Sequence, residues 1–430
     1  MRIRAVWVIV HRWAGLTIAL FLIVPGVTGS LLAFNDDLET WSAPRLHRIA
    51  PPLPGAAMLD PQMLRDIVLA RHPGGMIDYL PLHFTPGRSV VLRVNRIDPR
   101  TGRITPWSSR WDELFVDPYN GRTLGYRTWG DISEGMVNLM PFLYRLHYSL
   151  ALGPWGLWAF GIAALVWTLD CFVGFYLTLP VSWRRDRACA GRPTPKWWAR
   201  WKPAWRVRRH GGKHRLNFDL HRAGGLWLWP LLLVFAWSGV SFNLPGAYEP
   251  VMRVFGYQRL QDGIVPPAAP RYHPRLGFRA AERLGRAIAH REAARLGFTI
   301  DPTRDSGLLH RPDAGVYAYI FSSSADMRES GGRTVAIFDS DTGRLLKTVV
   351  PQGQNGAYTV TEWITAIHMA DVWGLPWRIA TAALGLMVTG LSVTGVLLWM
   401  RKRAARRVSR TRHALRVRRS EGVRPGPEPR

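Results

Sequence analysis

The chain has 430 residues and a formal charge of +27, because its 57 Lys and Arg outnumber its 30 Asp and Glu. Such a basic balance would suit a nucleic-acid-binding protein, but 47% hydrophobic residues and 21 Trp argue against a solvated basic surface. The two Cys form no CxxC motif, which excludes a disulfide framework, a Cys-rich zinc site and c-type haem attachment.

Four apolar segments are long enough to cross a bilayer, which needs about 20 such residues. Three contain no Asp, Glu, Lys or Arg, and the second contains only Asp170. They cover residues 13–34, 148–183, 223–248 and 379–400. We therefore predict a membrane α-helical bundle of four transmembrane helices. The first helix is expected to be retained, since no small-residue cleavage site follows Phe34.

Basic residues are concentrated in two segments. Residues 181–219 hold twelve Lys and Arg against two acidic residues, and so do residues 401–430, whereas 35–146 and 246–376 are nearly neutral. Because a Lys and Arg excess marks the cytoplasmic side, we predict that both termini are cytoplasmic and that the neutral segments lie outside. The basic tail then suits anionic membrane lipid, and no nucleic-acid partner is expected.

These assignments divide the chain into eight parts. The helical parts, of which the second and fourth include a short juxtamembrane helix, are 1–35, 147–180, 220–245 and 363–400. The outside α+β segments are 36–146 and 246–362, and the cytoplasmic loop and tail are 181–219 and 401–430.

The four helices recur in pairs with the same spacing. His11 of the first helix and His221 of the third are each followed by Arg, and a Gly lies eighteen residues past each His. In the second and fourth helices, His147 and His368 each precede a Gly by 27 residues and are soon followed by a Gly and Pro break. We therefore predict an internal duplication, with two copies of helix, outside segment and helix.

The outside segments contain matching turn signatures. Residues 117–122 and 339–344 both begin with Asp and end with Gly-Arg, and residues 98–103 have a third such pattern. Asp and Gly between β-rich runs predict hairpins. Helices are predicted ahead of these hairpins, at about 61–71 and 279–296.

Four histidines occupy equivalent places in the duplication and flank or enter a membrane helix, where an ionisable group is costly and usually functional. His11 and His221 lie near the predicted inner face, and His147 and His368 near the outer face. A hydrocarbon core about 30 Å thick separates the two depths, so a shared iron must pair His11 with His221 and His147 with His368. We predict two haems per chain, each ligated by one His from each repeat.

Two alternative roles stay open for these histidines. Capping or hydrogen bonding at a helix end would account for any one of them alone. A metal ion without porphyrin is the next alternative, although two His leave zinc short of ligands unless Asp219 or Asp371 joins.

Four arginines are candidates for binding haem propionates, because guanidinium groups suit carboxylates. They are Arg12, Arg222, Arg145 and Arg378. Interfacial anchoring would account for any single one of them equally well.

Asp170 lies on the inner half of the second helix, where a carboxylate should be paired or protonated. It could relay a proton or face the inner site. Its equivalent in the second repeat is Leu391, so Asp170 is not expected to belong to the duplicated design.

As a set, these motifs resemble the PepSY-associated transmembrane family, which includes iron-regulated inner-membrane proteins and ferric-siderophore reductases of Gram-negative bacteria. The resemblance covers roughly residues 5–403. It rests on His11-Arg12-x-x-Gly15-Leu16 with Thr28-Gly29, Leu146-His147-Tyr148-Ser149-Leu150-x-x-Gly153, Leu216-Asn217-Phe218-Asp219-Leu220-His221-Arg222, and Ser392-Val393-Thr394-Gly395-Val396-Leu397-Leu398-Trp399. It implies b-type haem in the membrane, PepSY-like outside segments and reduction of ferric siderophores at the periplasmic face. The chain departs from the family at Leu169-Asp170-Cys171-Phe172, where an apolar run ending in Thr-Gly is usual.

The favoured hypothesis is a haem-dependent oxidoreductase of the bacterial inner membrane. It would take electrons from a cytoplasmic or quinol donor and reduce a ferric siderophore or another Fe(III) chelate outside. One alternative is a non-enzymatic PepSY sensor or protease-regulating protein, which would leave the paired histidines unused. A siderophore or metal transporter is the other alternative, and it is disfavoured because transporter sites lie near the membrane midplane.

Overall fold

The computed structural model describes residues 2–180, 196–210, 212–304 and 306–421, with side chains described up to residue 406. The cytoplasmic loop and tail predicted from the sequence therefore lie partly outside the described residues.

The described residues form twelve α-helices and ten β-strands. The helices are α1 (Arg2–Leu32), α2 (Asn35–Ser42), α3 (Pro44–His47), α4 (Pro61–Ala70), α5 (Leu139–Ser149), α6 (Gly153–Thr178), α7 (Trp197–Trp201), α8 (Lys213–Asn243), α9 (Pro245–Val254), α10 (Phe278–Leu296), α11 (Gly356–His368) and α12 (Gly374–Glu421). The strands are β1 (Tyr79–Pro81), β2 (Val90–Leu92), β3 (Asn95–Ile97), β4 (Ile104–Pro106), β5 (Glu113–Val116), β6 (Thr123–Arg127), β7 (Gly307–Arg311), β8 (Val316–Phe321), β9 (Thr334–Asp339) and β10 (Leu345–Val349).

Four of these helices are long and apolar enough to cross a membrane, as the sequence predicts. They are α1, α6, α8 and α12, with candidate spans at Ile3–Leu32, Gly153–Thr178, Lys213–Asn243 and Gly374–Arg406. The third apolar segment, predicted to continue to residue 248, ends at Asn243 because Pro245 begins α9. A residue that precedes proline is disfavoured in the helical region, and Leu244 accordingly has φ −135° and ψ 58°.

The chain forms two compact units. Unit 1 comprises Met1–Val27, Phe160–Gly239 and Leu384–Arg430, and unit 2 comprises Thr28–Ala159 and Val240–Ala383. Within the described residues, unit 1 contains helices and no strands, and all the strands belong to unit 2.

Unit 1 is held together by apolar contacts among the long helices and by indole hydrogen bonds. Cys171, Leu232 and Val388 form one buried cluster. The Trp229 Nε1 donates to the Cys171 carbonyl oxygen at 2.9 Å, which fixes α6 against α8. A buried indole that finds such an acceptor combines a large apolar contact with a satisfied polar group.

Unit 2 joins the two outside segments in one core. From the sequence, these segments were predicted as two separate parts. Strand β1 of the first segment extends the sheet of the second, giving the antiparallel order β1-β7-β8-β9-β10. Buried residues of both segments, such as Leu64 and Leu80 with Ile288 and Phe338, form one cluster. The strands of the first segment have only three to five residues, and short sheets need such packing to be stable.

The three turn signatures are built alike, as predicted. In each turn the Gly N–H donates to the carbonyl of the leading Asp, at 2.8 Å for Gly102 and Gly121 and 2.9 Å for Gly343. All three glycines have positive φ, between 63° and 72°, a conformation that costs glycine little. The turns connect β3 with β4, β5 with β6 and β9 with β10.

The predicted breaks after two of the four histidines are also present. Helix α5 ends at Ser149, two residues after His147, and the chain passes through a left-handed conformation at Leu150 (φ 49°) before α6 begins at Gly153 (φ 60°). Helix α11 ends at His368, and the corresponding break has Gly374 at φ 61°. The two glycines are 221 residues apart, the same offset as the two histidines. The duplication itself stays a prediction.

Candidate functional site

The inner candidate site brings together His11 of α1 and His221 of α8, as the sequence predicts. Their imidazole centres are 6.2 Å apart, and the ring planes are inclined by 55°. Both residues belong to unit 1.

Hydrogen bonds determine which nitrogen of His221 is free to bind a metal. Its Nδ1 lies 3.0 Å from the Leu391 carbonyl oxygen and 3.2 Å from the Thr394 Oγ1. A carbonyl oxygen can only accept, so Nδ1 carries the proton and donates it. The Nε2 atom then keeps its lone pair, which is the form of imidazole that binds a metal ion.

The partner histidine has a charged acceptor instead. The Nδ1 of His11 lies 2.9 Å from Oδ1 of Asp170 on α6. A carboxylate that accepts from Nδ1–H again leaves Nε2 free. The side chain of Asp170 is only 10% exposed, against 34% for His11. The buried carboxylate of Asp170 is therefore paired with a candidate ligand. This pairing explains how a charged residue is accommodated in the apolar second helix.

The outer candidate site brings together His147 of α5 and His368 of α11 in unit 2. Their ring centres are 6.3 Å apart with an interplanar angle of 85°. The Nδ1 of His147 is 3.1 Å from the Thr28 Oγ1, and the Phe242 ring packs on the edge of His368 at 5.1 Å between centres.

Glycines lie against three of the four imidazoles, and two of these glycines make room for the ring. A Cβ atom added at Gly174 would lie 3.5 Å from Cε1 of His11, one at Gly395 would lie 3.2 Å from Cε1 of His221, and one at Gly29 would lie 2.8 Å from Cε1 of His147. A side chain at the last two positions would press on the ring. Gly29 and Gly395 therefore lie where a rigid imidazole needs space.

These separations fit a shared iron. Imidazole nitrogens bind metal at about 2.0 Å and lie roughly 1.1 Å from the ring centre, so two imidazoles on one iron have centres about 6 Å apart. The observed separations of 6.2 and 6.3 Å agree with that value. Among the described residues, no three His, Cys, Asp or Glu side chains converge on a metal-sized site. A haem iron needs only two protein ligands, because the porphyrin supplies the others.

One member of the outer pair, His368, has the protonation state that ligation requires. Burial, and then the neighbouring His147, lower the pKa of His368 to about 3. Its ring is therefore neutral at physiological pH, and a neutral imidazole can donate a nitrogen lone pair to iron.

Two of the four predicted propionate-binding arginines are occupied by protein groups. Arg222 is paired with the fully buried Asp219 at 3.0 Å. Arg145 donates to the Gly130 carbonyl at 2.9 Å.

The remaining two arginines differ in how strongly they are held. Arg378 lies 4.0 Å from Oδ2 of Asp37, a pair that exposure makes weak. Arg12 forms no hydrogen bond or ion pair within the described part of the chain. Among the described residues, no group therefore holds this guanidinium, which follows His11 in the chain.

The groups that hold the histidine rings were not predicted from the sequence. Thr28 and Thr394 directly precede the motif glycines Gly29 and Gly395, and their hydroxyls contact His147 and His221. The Thr-Gly pairs in the first and fourth long helices were the signal. Nothing local in the sequence connects either threonine with a histidine more than a hundred residues away.

Comparison with known protein families gives one result that covers most of the chain. The family described as the PepSY-associated TM region matches residues 8–402. No protein with a curated description matches the chain.

Proposed function

Since the chain belongs to the PepSY-associated TM region family, we propose that it is a bacterial inner-membrane protein with two b-type haems that reduces a ferric siderophore or another Fe(III) chelate in the periplasm. The family assignment confirms the resemblance stated from the sequence. The four apolar helices support a multi-pass membrane protein. The duplication and the PepSY-like character of the outside segments are parts of the same proposal.

The observation that carries this proposal is the recurrence of one geometry in two places. Each unit contains a pair of histidines with ring centres 6.2 or 6.3 Å apart. Helix capping would not require the two rings of a pair to lie at this distance from each other. Nor would it require a glycine against the edge of a ring, as at Gly29, Gly174 and Gly395.

Different residues would bind the iron, orient the histidine rings and bind a propionate. In this proposal His11, His221, His147 and His368 would hold the two haems through their Nε2 atoms, and hydrogen bonds at Nδ1 orient three of these rings. Arg12 is free to bind a propionate of the inner group. A bound b-type haem would supply a reversible one-electron change between Fe(III) and Fe(II).

The proposed direction of the reaction rests on the charge distribution. The basic segments favour an orientation with both termini inside, in which the inner pair would face a cytoplasmic or quinol electron donor and the outer pair would face the chelate. One electron per Fe(III) gives Fe(II), which hard oxygen ligands bind less tightly, so the iron is released. No general acid or nucleophile is required.

The proposal is tested by counting haem in the purified chain with a pyridine haemochrome assay. We expect about two haems per chain and a reduced-minus-oxidised spectrum of low-spin b-type haem. His147→Ala and His221→Ala should each remove half of the haem, and the double variant should remove all of it. His290→Ala is the matched control, because His290 is exposed on α10.

Two outcomes would contradict the proposal. A colourless wild-type protein would favour the sensor or protease-regulating alternative. Unchanged haem content in both histidine variants would show that these pairs are not the ligands. Reduction itself is tested by adding the chemically reduced protein to a ferric siderophore and detecting Fe(II) with a ferrous-specific chromogenic chelator.

A further inference from the structure

The two copies of the predicted repeat differ in the group that accepts the hydrogen bond from the inner histidine. Position 391 in the second copy corresponds to position 170 in the first, with an offset of 221. Both positions supply the acceptor for a histidine Nδ1: the Leu391 main-chain oxygen for His221, at 3.0 Å, and the Asp170 side chain for His11, at 2.9 Å. In the first copy a side-chain carboxylate thus serves as the acceptor, where the second copy uses a main-chain carbonyl.

The two copies also differ in whether a hydroxyl group lies near the histidine. Thr394 places its hydroxyl 3.2 Å from the His221 Nδ1, and its counterpart in the first copy is Val173. Valine has no hydroxyl to offer, so the acceptor comes from the preceding turn of α6.

The surroundings hold Asp170 in place against the ring. Asp170 and Gly174 are four residues apart and share one face of α6. Gly174 leaves 3.5 Å between an added Cβ and Cε1 of His11. The next residue, Cys171, accepts the 2.9 Å hydrogen bond from Trp229 that fixes α6 to α8. One face of α6 thus provides both the acceptor and the space for the His11 ring.

We propose that Asp170 is a positioning residue that sets the reduction potential of the inner haem through His11, by accepting its Nδ1–H with a carboxylate. This inference rests on the proposed function. A carboxylate behind a metal-bound imidazole makes the ring a stronger donor. It also places a negative charge near the iron, which favours Fe(III) over Fe(II). The inner haem then has a lower potential than a neutral acceptor would give, and an electron leaves it more readily toward the outer site.

The test is a spectroelectrochemical titration of the purified full-length protein and of Asp170→Asn. The asparagine keeps an oxygen acceptor of the same size and removes the charge. We expect the variant to retain both haems and one of the two midpoint potentials to rise. A tenfold change in the reduction equilibrium corresponds to about 59 mV for one electron, and a change of at least this size is expected. Thr28→Val is the matched variant at the outer pair, and it should move the other potential.

A second variant covers the case in which the first fails to bind haem. Asp170→Leu combined with Val173→Thr installs the residues that the second copy of the repeat has at these positions. This double variant should bind haem, and the reduction potential of its inner site should be higher than in the wild-type protein.

The outcomes separate this inference from the proposed function. If haem is bound and both Asp170 variants leave both potentials unchanged, Asp170 has no effect on the site and the inference is overturned. A wild-type protein without haem would instead overturn the proposed function.

Discussion

Gly29 provides the strictest test of the outer site. A methyl group at this position would lie 2.8 Å from Cε1 of His147, whereas ordinary contacts begin at 3.4 Å. In Gly29→Ala, α1 or the imidazole must therefore shift by about 0.6 Å. The ring cannot rotate away freely, because its Nδ1 is 3.1 Å from the Thr28 hydroxyl on the same helix.

The size of the effect follows from the cost of overpacking. Forcing a methyl group into a packed site costs about 1–3 kcal/mol, which corresponds to roughly 5- to 140-fold weaker haem binding. The alanine itself favours the helix by about 1 kcal/mol, so the helical content of the variant should be unchanged. The loss should appear specifically as haem lost from the outer site.

The assay is the haem content of the purified protein, measured alongside its thermal unfolding. Gly15→Ala is the control on the same helix, because an added Cβ there meets nothing within 4 Å. Gly174→Ala should also be tolerated at 3.5 Å, while Gly395→Ala at 3.2 Å should have an intermediate effect at the inner site. Full haem in Gly29→Ala, or equal losses in Gly29→Ala and Gly15→Ala, would refute the reasoning.

Two further predictions concern unit 2. Burial alone would raise the pKa of Asp339, but hydrogen bonds from the turn backbone and from Arg271 hold it well below its usual value. Because the folded-state pKa is depressed, the stabilisation is complete at neutral pH, begins to fall below about pH 3.9 and is gone only when the pH passes the folded-state pKa. Asp339→Asn should therefore lower the thermal unfolding temperature at pH 7 and by a smaller amount at pH 3, where part of the stabilisation is already lost, and an equal loss at both would contradict this. Asp371→Asn should lower the free energy of unfolding by about 3–5 kcal/mol, because it leaves the buried Arg328, now paired at 2.6 Å, without its counterion. The control Asp313→Asn breaks an exposed pair and should lower the free energy of unfolding by less than about 1 kcal/mol. Similar losses for the two variants in chemical denaturation would contradict the difference in burial between the two pairs.

Local composition and spacing along the chain were enough to predict several features of this protein. Apolar runs of sufficient length specified the four long helices, since the hydrocarbon thickness sets that length. The three Asp and Gly turns were predictable because a tight turn restricts its own residues. The histidine pairs followed from repeat spacing combined with the side of the membrane on which each histidine lies.

How those parts meet became clear only in the folded chain. The addition of β1 to the sheet of the second outside segment joins residues more than two hundred positions apart. The contact of Asp170 with His11 spans 159 residues, and that of Thr28 with His147 spans 119. No local pattern encodes such a contact, because it depends on the relative rotation of separate helices. In the sequence Asp170 is only a costly charge in an apolar run, and the packing of α6 against α1 makes it the hydrogen-bond partner of a candidate ligand.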